Sequence, residues 1–180
     1  MYVLLDEVHG LYRELTLELI KQGLTIATME SCTSGLVASL ISDTEGASSV
    51  LAGGYVTYCN AAKEAAGVPA KVIDTYGVYS QQTAQQMAMA ARRNLRTRIG
   101  IGVTGTFSNA DPSNRDSVPG MVWFAIDMDG EVRCTKLEID ADSLRAWASC
   151  QTGAERFTYK LITARRIAQE LKNIVCESAS

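Results

Sequence analysis

Residues 24–41 read LTIATMESCTSGLVASLI. The run Leu24–Thr28 is short, apolar and β-branched, as a buried strand requires. Glu30-Ser31-Cys32-Thr33-Ser34-Gly35 then interrupts it with polar and small residues. From Leu36 to Ile41 the chain resumes an apolar run that suits a helix. A strand, a polar turn and a helix in direct succession open an alternating strand–helix chain.

Working outward, the pattern continues on both sides. Upstream, Val8, Leu11, Leu15 and Leu19 recur at three- and four-residue steps, which predicts a helix with Asp6 placed to cap it and Gly23 to stop it. His9 falls beside Glu7 and Arg13 on the polar side of that helix, so its reading is a solvated residue rather than a catalytic one. Downstream, Val50–Tyr58 reads as a strand with a glycine pair. Asn60 is placed to cap the helix AAKEAAG, and Pro69 to start another turn. Ser80 is placed to cap a long helix whose small apolar residues Ala84, Met87, Ala88 and Ala91 form one stripe. Arg98–Thr104 is a strand, and residues 106–120 are a polar loop. Two further strands, 120–127 and 131–139, are joined at Asp129-Gly130, a strong hairpin signal. The segment from Asp142 to about Val175 is helical in pattern, with a break at Gly153. The expected fold is a single three-layer α/β/α domain with a mixed sheet, spanning residues 1–180.

Composition narrows the function. The chain has 180 residues, 47% hydrophobic and 21% charged, the profile of an ordinary globular domain. A net charge of −3 supplies no surplus of cations for nucleic-acid phosphates. No apolar run reaches the roughly 20 residues of a membrane helix. The first residues, MYVLLDEVHG, have no basic start and meet acid early, so no signal peptide is read. The chain has a single histidine, so no histidine-clustered metal site is expected. The five cysteines are odd in number and form no C-x-x-C pair, which reads as reduced thiols of a cytoplasmic protein. No metal or cofactor is expected.

Three segments could carry chemistry. Ser31, Thr33 and Ser34 lie between a strand and a helix, where hydroxyls either cap the helix or line a ligand crevice. The helix start there could also offer backbone N–H groups to an oxyanion. Cys32 is either a thiolate nucleophile favoured by a helix start or a buried structural thiol. Lys63, three residues after Asn60, either pairs with a carboxylate such as Glu64 or serves as a neutral general base beside Tyr58. Gly102-Val103-Thr104-Gly105 is either an ordinary strand exit or a close backbone approach to a ligand.

Taken together, ESCTSGLVASLISDTEGASSV, GGYVTYCNAAKEAAGV, YGVYSQQTAQQMA and IGVTG, in this order and spacing, resemble the CinA C-terminal family of nicotinamide-nucleotide amidases. The resemblance runs from about residue 4 to residue 127 and more loosely beyond. It implies hydrolysis of the carboxamide of nicotinamide mononucleotide to nicotinate mononucleotide and ammonia, without a cofactor. It implies Ser31 as nucleophile, Lys63 as base and Tyr58 in the proton relay. Substrate contacts are implied at Glu30, Thr33, Ser34, Gly35, Thr104, Gly105, Thr106 and Arg145. It also implies a homo-oligomer acting on a small nucleotide or amide, with no nucleic-acid or membrane partner.

The chain departs from the family pattern in three places. Ser34-Gly35 stands where the family has two glycines. The family's glycine-rich run after I-T-G, ending K-P-V-G, is replaced by residues 106–120, which carry Asp111 and Asp116 and lack the lysine. The string F-x-G-D-R before the last helix is missing, leaving Arg145 or Arg156 to substitute. A glycine-rich loop closes its amides on phosphate, whereas aspartates repel it. The alternative expectation is therefore a paralogue that keeps the pocket as a ligand-binding or regulatory protein.

Overall fold

The computed structural model describes residues 2–114, 116–140, 144 and 155–177. Arg145, Asp142 and Gly153, singled out above, lie outside the described residues. The elements are α1 (Tyr2–Gln22), β1 (Ile26–Glu30), α2 (Leu36–Ser42), a 3-10 turn (Ala47–Ser49), β2 (Leu51–Val56), α3 (Asn60–Ala65) and α4 (Ala70–Tyr76). They continue with α5 (Gln81–Leu95), β3 (Ile99–Gly105), β4 (Met121–Met128), β5 (Glu131–Glu138) and α6 (Glu155–Glu177). The strands form one sheet in the order β2-β1-β3-β4-β5. β2, β1 and β3 run parallel, and β4 and β5 complete the sheet antiparallel. This is the mixed α/β sheet expected from the sequence.

Helices cover both faces, so β1 and β3 are buried throughout. On one face α1, α2 and α6 pack together through Leu4, Val8, Leu15, Leu19, Val37, Ile41, Leu161 and Ile167. Tyr12 is buried in this layer and donates to the Ala164 carbonyl of α6 at 3.0 Å. On the other face α5 lies across β3, β1 and β4. Its approach is close enough that a Cβ on Gly102 would stand 2.2 Å from the Ala84 carbonyl oxygen. No described helix is long and apolar enough to cross a membrane.

Several element boundaries differ from the sequence expectation. α1 begins at Tyr2, so Asp6 is an interior residue rather than a cap. β1 runs two residues later than expected and takes in Glu30. Cys59, not Asn60, is the N-cap of α3, and Asn60 is its first helical residue. Ser80 does cap α5, accepting from the Thr83 amide at 3.2 Å. The hairpin turn is made by Asp129 (φ 54°) and Gly130 (φ 102°), both left-handed, as a two-residue turn between β4 and β5 requires.

Candidate active site

The chain runs from β1 to β2 on one side and from β2 to β3 on the other. The carboxyl ends of β1 and β3 therefore flank a point where the connections diverge, which is where open α/β sheets form their crevices. A cavity of about 490 Å³ lies there. Ser31 follows β1 directly, with its amide donating to the Val103 carbonyl of β3 at 3.0 Å. Thr57 and Tyr58 leave β2, and Gly105 and Thr106 leave β3, so all three parallel strands deliver residues to one place.

At the cavity floor the Lys63 Nζ is 3.1 Å from the Ser31 Oγ and donates to the Thr57 carbonyl at 2.8 Å. Lys63 is 1% exposed and Ser31 5%. Burial pushes the Lys63 ammonium below the ordinary lysine range, against the opposing pull of Cys32, Cys59 and the Asp111 carboxylate. The expected partner Glu64 is exposed and turned away, which leaves the amine to Ser31 and Thr57. Burial also pushes the Cys32 thiol up to about 12, so it stays protonated beside the pair.

Other residues named from the sequence take different places. Tyr58 lines the cavity but is 60% exposed, and its hydroxyl accepts from Arg156 Nη2 at 2.6 Å rather than touching the Ser31–Lys63 pair. Glu30 is fully buried and does not line the cavity. Its carboxylate accepts from the amides of Gly35 (3.0 Å), Val37 (3.1 Å) and Ala38 (2.9 Å) and from the Thr28 hydroxyl (3.2 Å). The amides of Gly35, Val37 and Ala38 thus serve Glu30 rather than a ligand. Thr33 is buried with no partner for its hydroxyl among the described residues. Ser34, at φ 50°, accepts from Lys160 of α6. The Thr104 hydroxyl donates to the Val78 carbonyl at 2.9 Å. None of Glu30, Thr33, Ser34, Gly35 and Thr104 lines the cavity, whereas Gly105 and Thr106 do.

Phe107, Tyr79 and Asn114, which the sequence did not single out, complete the wall with Arg156 and Asp111, which it did. Phe107 is buried and stacks on Tyr159 of α6, with ring centroids 5.1 Å apart. The Arg156 guanidinium lies 5.6 Å from the Phe107 ring centroid and faces this cavity. Opposite, Asp111 accepts from the Tyr79 hydroxyl and the Asn114 side-chain amide, each at 2.6 Å. It also accepts from the Ser113 backbone amide at 2.9 Å. The Tyr79 hydroxyl, then Asn114 and Ser113, hold the Asp111 carboxyl below its usual range. Asp116 does not reach the cavity. Its carboxylate accepts from the Tyr79 backbone amide at 2.6 Å, packed where only a glycine, Gly77 (φ 84°), leaves it room.

Residues 9–161 match the CinA C-terminal domain family. A protein of Desulforudis audaxviator is 39% identical over 120 residues, which is 66% of this chain and 29% of that protein. A CinA-like protein of Gemmatimonas aurantiaca is 36% identical over 120 residues, 66% of this chain and 28% of its own. The chain thus spans less than a third of the length of these curated relatives. Among solved structures, the competence/damage inducible protein CihA from Agrobacterium tumefaciens superposes with a TM-score of 0.77 at 28% identity, covering 92% of this chain and 94% of that one. A CinA superfamily protein from Klebsiella pneumoniae shares the fold, with a TM-score of 0.74 at 20% identity over 92% of this chain and 98% of its own.

Proposed function

From the premise that this chain belongs to the CinA C-terminal domain family, we propose that it is a serine amidohydrolase of the nicotinamide-nucleotide amidase type. Its substrate is the carboxamide of nicotinamide mononucleotide or a related amide, and its products are the carboxylate and ammonia. The observation that carries this reading is the buried Lys63 Nζ 3.1 Å from the Ser31 Oγ at a cavity floor.

In this scheme Lys63 acts as the neutral amine. Ser31 Oγ attacks the amide carbon while its proton passes to Lys63 Nζ. Collapse of the tetrahedral adduct breaks the C–N bond, and Lys63 gives the proton to the departing nitrogen, which leaves as ammonia. Water, deprotonated by the same amine, then cleaves the acyl-serine ester and restores both residues. Thr57 fixes the amine through its carbonyl. Tyr58, tied to Arg156, enters the scheme at the cavity mouth as a substrate contact. A cytoplasmic homo-oligomer belongs to the same proposal, with light scattering as its measure.

Ammonia release from nicotinamide mononucleotide, and its loss in Ser31→Ala, tests the reading. A second reading, a binding protein without turnover, is favoured by Asp111, which puts a carboxylate in the cavity wall. It predicts a thermal shift with ligand and no ammonia.

A further inference from the structure

Among the described residues that line the cavity, Arg156 brings a guanidinium, Asp111 a carboxylate and Lys63 the amine that the mechanism uses in its neutral form. A phosphomonoester carries close to two negative charges at neutral pH. Entering this cavity, it would meet a carboxylate that three donors hold in place. The Asp111 carboxylate cannot simply turn away, because the segment around it is knotted by further bonds. The Asp111 amide donates to the Ser117 hydroxyl at 2.6 Å, and that hydroxyl donates to Thr106 Oγ1 at 3.2 Å. Asn60 of α3 also reaches Asn114 at 3.4 Å, tying the segment to the helix that carries Lys63. The field of Asp111 extends to Lys63 itself, so the carboxylate and the reacting amide share one electrostatic environment.

Resting on the amidohydrolase reading above, we propose that Asp111 sets the substrate class. The cavity takes a cationic pyridinium carboxamide that bears a ribose but no phosphate. Asp111 retains acceptor capacity for ribose hydroxyls and attracts the pyridinium charge, while it repels the phosphomonoester.

The test compares nicotinamide riboside, which keeps the pyridinium and ribose, with nicotinamide mononucleotide, which adds only the phosphate. Ammonia release and calorimetric binding are both measured for the native chain, Asp111→Asn and Tyr79→Phe. The native chain should favour the riboside by about tenfold or more in kcat/KM and in Kd. Asp111→Asn should erase most of that preference by improving the mononucleotide and weakening the riboside. Added salt should strengthen mononucleotide binding to the native chain and not to Asp111→Asn, because screening relieves repulsion. Tyr79→Phe keeps the charge and should keep the preference. A native preference for the mononucleotide, or an unchanged ratio in folded Asp111→Asn, overturns the proposal. Absence of ammonia from both amides, or release that survives Ser31→Ala, overturns the amidohydrolase reading instead. In that case the two Kd ratios still decide the role of Asp111.

Discussion

Lys63 is a charged residue type almost wholly buried at a cavity floor, with one hydroxyl and one carbonyl for company. Because burial lowers its ionisation, the neutral base appears at lower pH than for a free lysine, which titrates near about 10.4. Activity should therefore rise with pH through a single ionisation below that value. Lys63→Ala should abolish it, and Lys63→Arg should not restore it, since guanidinium stays protonated. A pH–rate profile of the three proteins is the check, and an active Lys63→Arg would remove Lys63 from the role of base. Stability should follow the same ionisation. Between the lowered native value and the unfolded one the unfolded chain binds more protons, so stability rises with pH across that window. Lys63→Met should flatten that rise in urea titrations. Ser31→Ala should end hydrolysis with a stability change within about 1 kcal/mol, because Ser31 Oγ contacts Lys63 and caps no helix. Retained turnover in folded Ser31→Ala would refute the mechanism. At this scale residue type and spacing left Ser31 and Lys63 with two readings each, and only the resemblance to the CinA C-terminal family implied the pair. Nothing in the sequence showed that Tyr58 turns to Arg156, because that contact depends on a helix distant in the chain, or that Glu30 turns inward to the amides of the helix that follows it.

Glu30 shows how one carboxylate shapes an element. α2 begins without a side-chain cap at Gly35, and the Glu30 carboxylate does the capping from the end of β1. An anion at a helix start is favoured by the macrodipole, and here it also satisfies three backbone donors. Its position fixes the Ser31–Gly35 turn against the helix, and with it the direction of the Ser31 side chain. Glu30→Ala should cost about 3 kcal/mol or more, since each buried donor left without a partner costs about 1–3 kcal/mol. It should also lower kcat more than it changes KM. Urea unfolding and steady-state kinetics test both parts, and a loss below about 1 kcal/mol would mean that water replaces the carboxylate. The elements themselves were legible where pattern and punctuation agree. Ser80 before the Ala84–Ala91 stripe, and Asp129-Gly130 between two β-runs, each gave the right element. Boundaries failed where tertiary contact decides. β1 extends to Glu30 because β3 pairs it up to Val103, and Asp6 sits inside α1 because Leu4 and Val8 bury against the α2–α6 layer.

The whole molecule separates into a scaffold and the loop of residues 106–120 that faces its cavity. The sheet and helices superpose on CinA-type structures, and the Ser31–Lys63 pair sits at the carboxyl ends of the parallel strands. Residues 106–120 carry Asp111, and with it Thr106, Phe107, Asn109, Ser113 and Asn114 line the cavity. That segment is closed at its base by backbone bonds independent of side chain, Thr106 amide to Met121 carbonyl (2.9 Å) and Gly120 amide to Phe107 carbonyl (2.6 Å). A transplant between these anchors should therefore leave the sheet intact. Replacing residues 108–118 with a glycine-rich segment removes Asp111 from the cavity and Asp116 from the Tyr79 amide. The lost bonds should lower Tm by about 2–4 °C for each kcal/mol they contribute. Mononucleotide binding should strengthen, because backbone amides replace a carboxylate near the phosphate. Calorimetry with nicotinamide mononucleotide, alongside thermal unfolding, measures both consequences. If the transplanted chain folds cooperatively and binds the mononucleotide no better than the native chain, the departure at 106–120 does not govern substrate choice. The preference would then have to lie in Arg156, Tyr58 and Phe107, the cavity residues the transplant leaves in place.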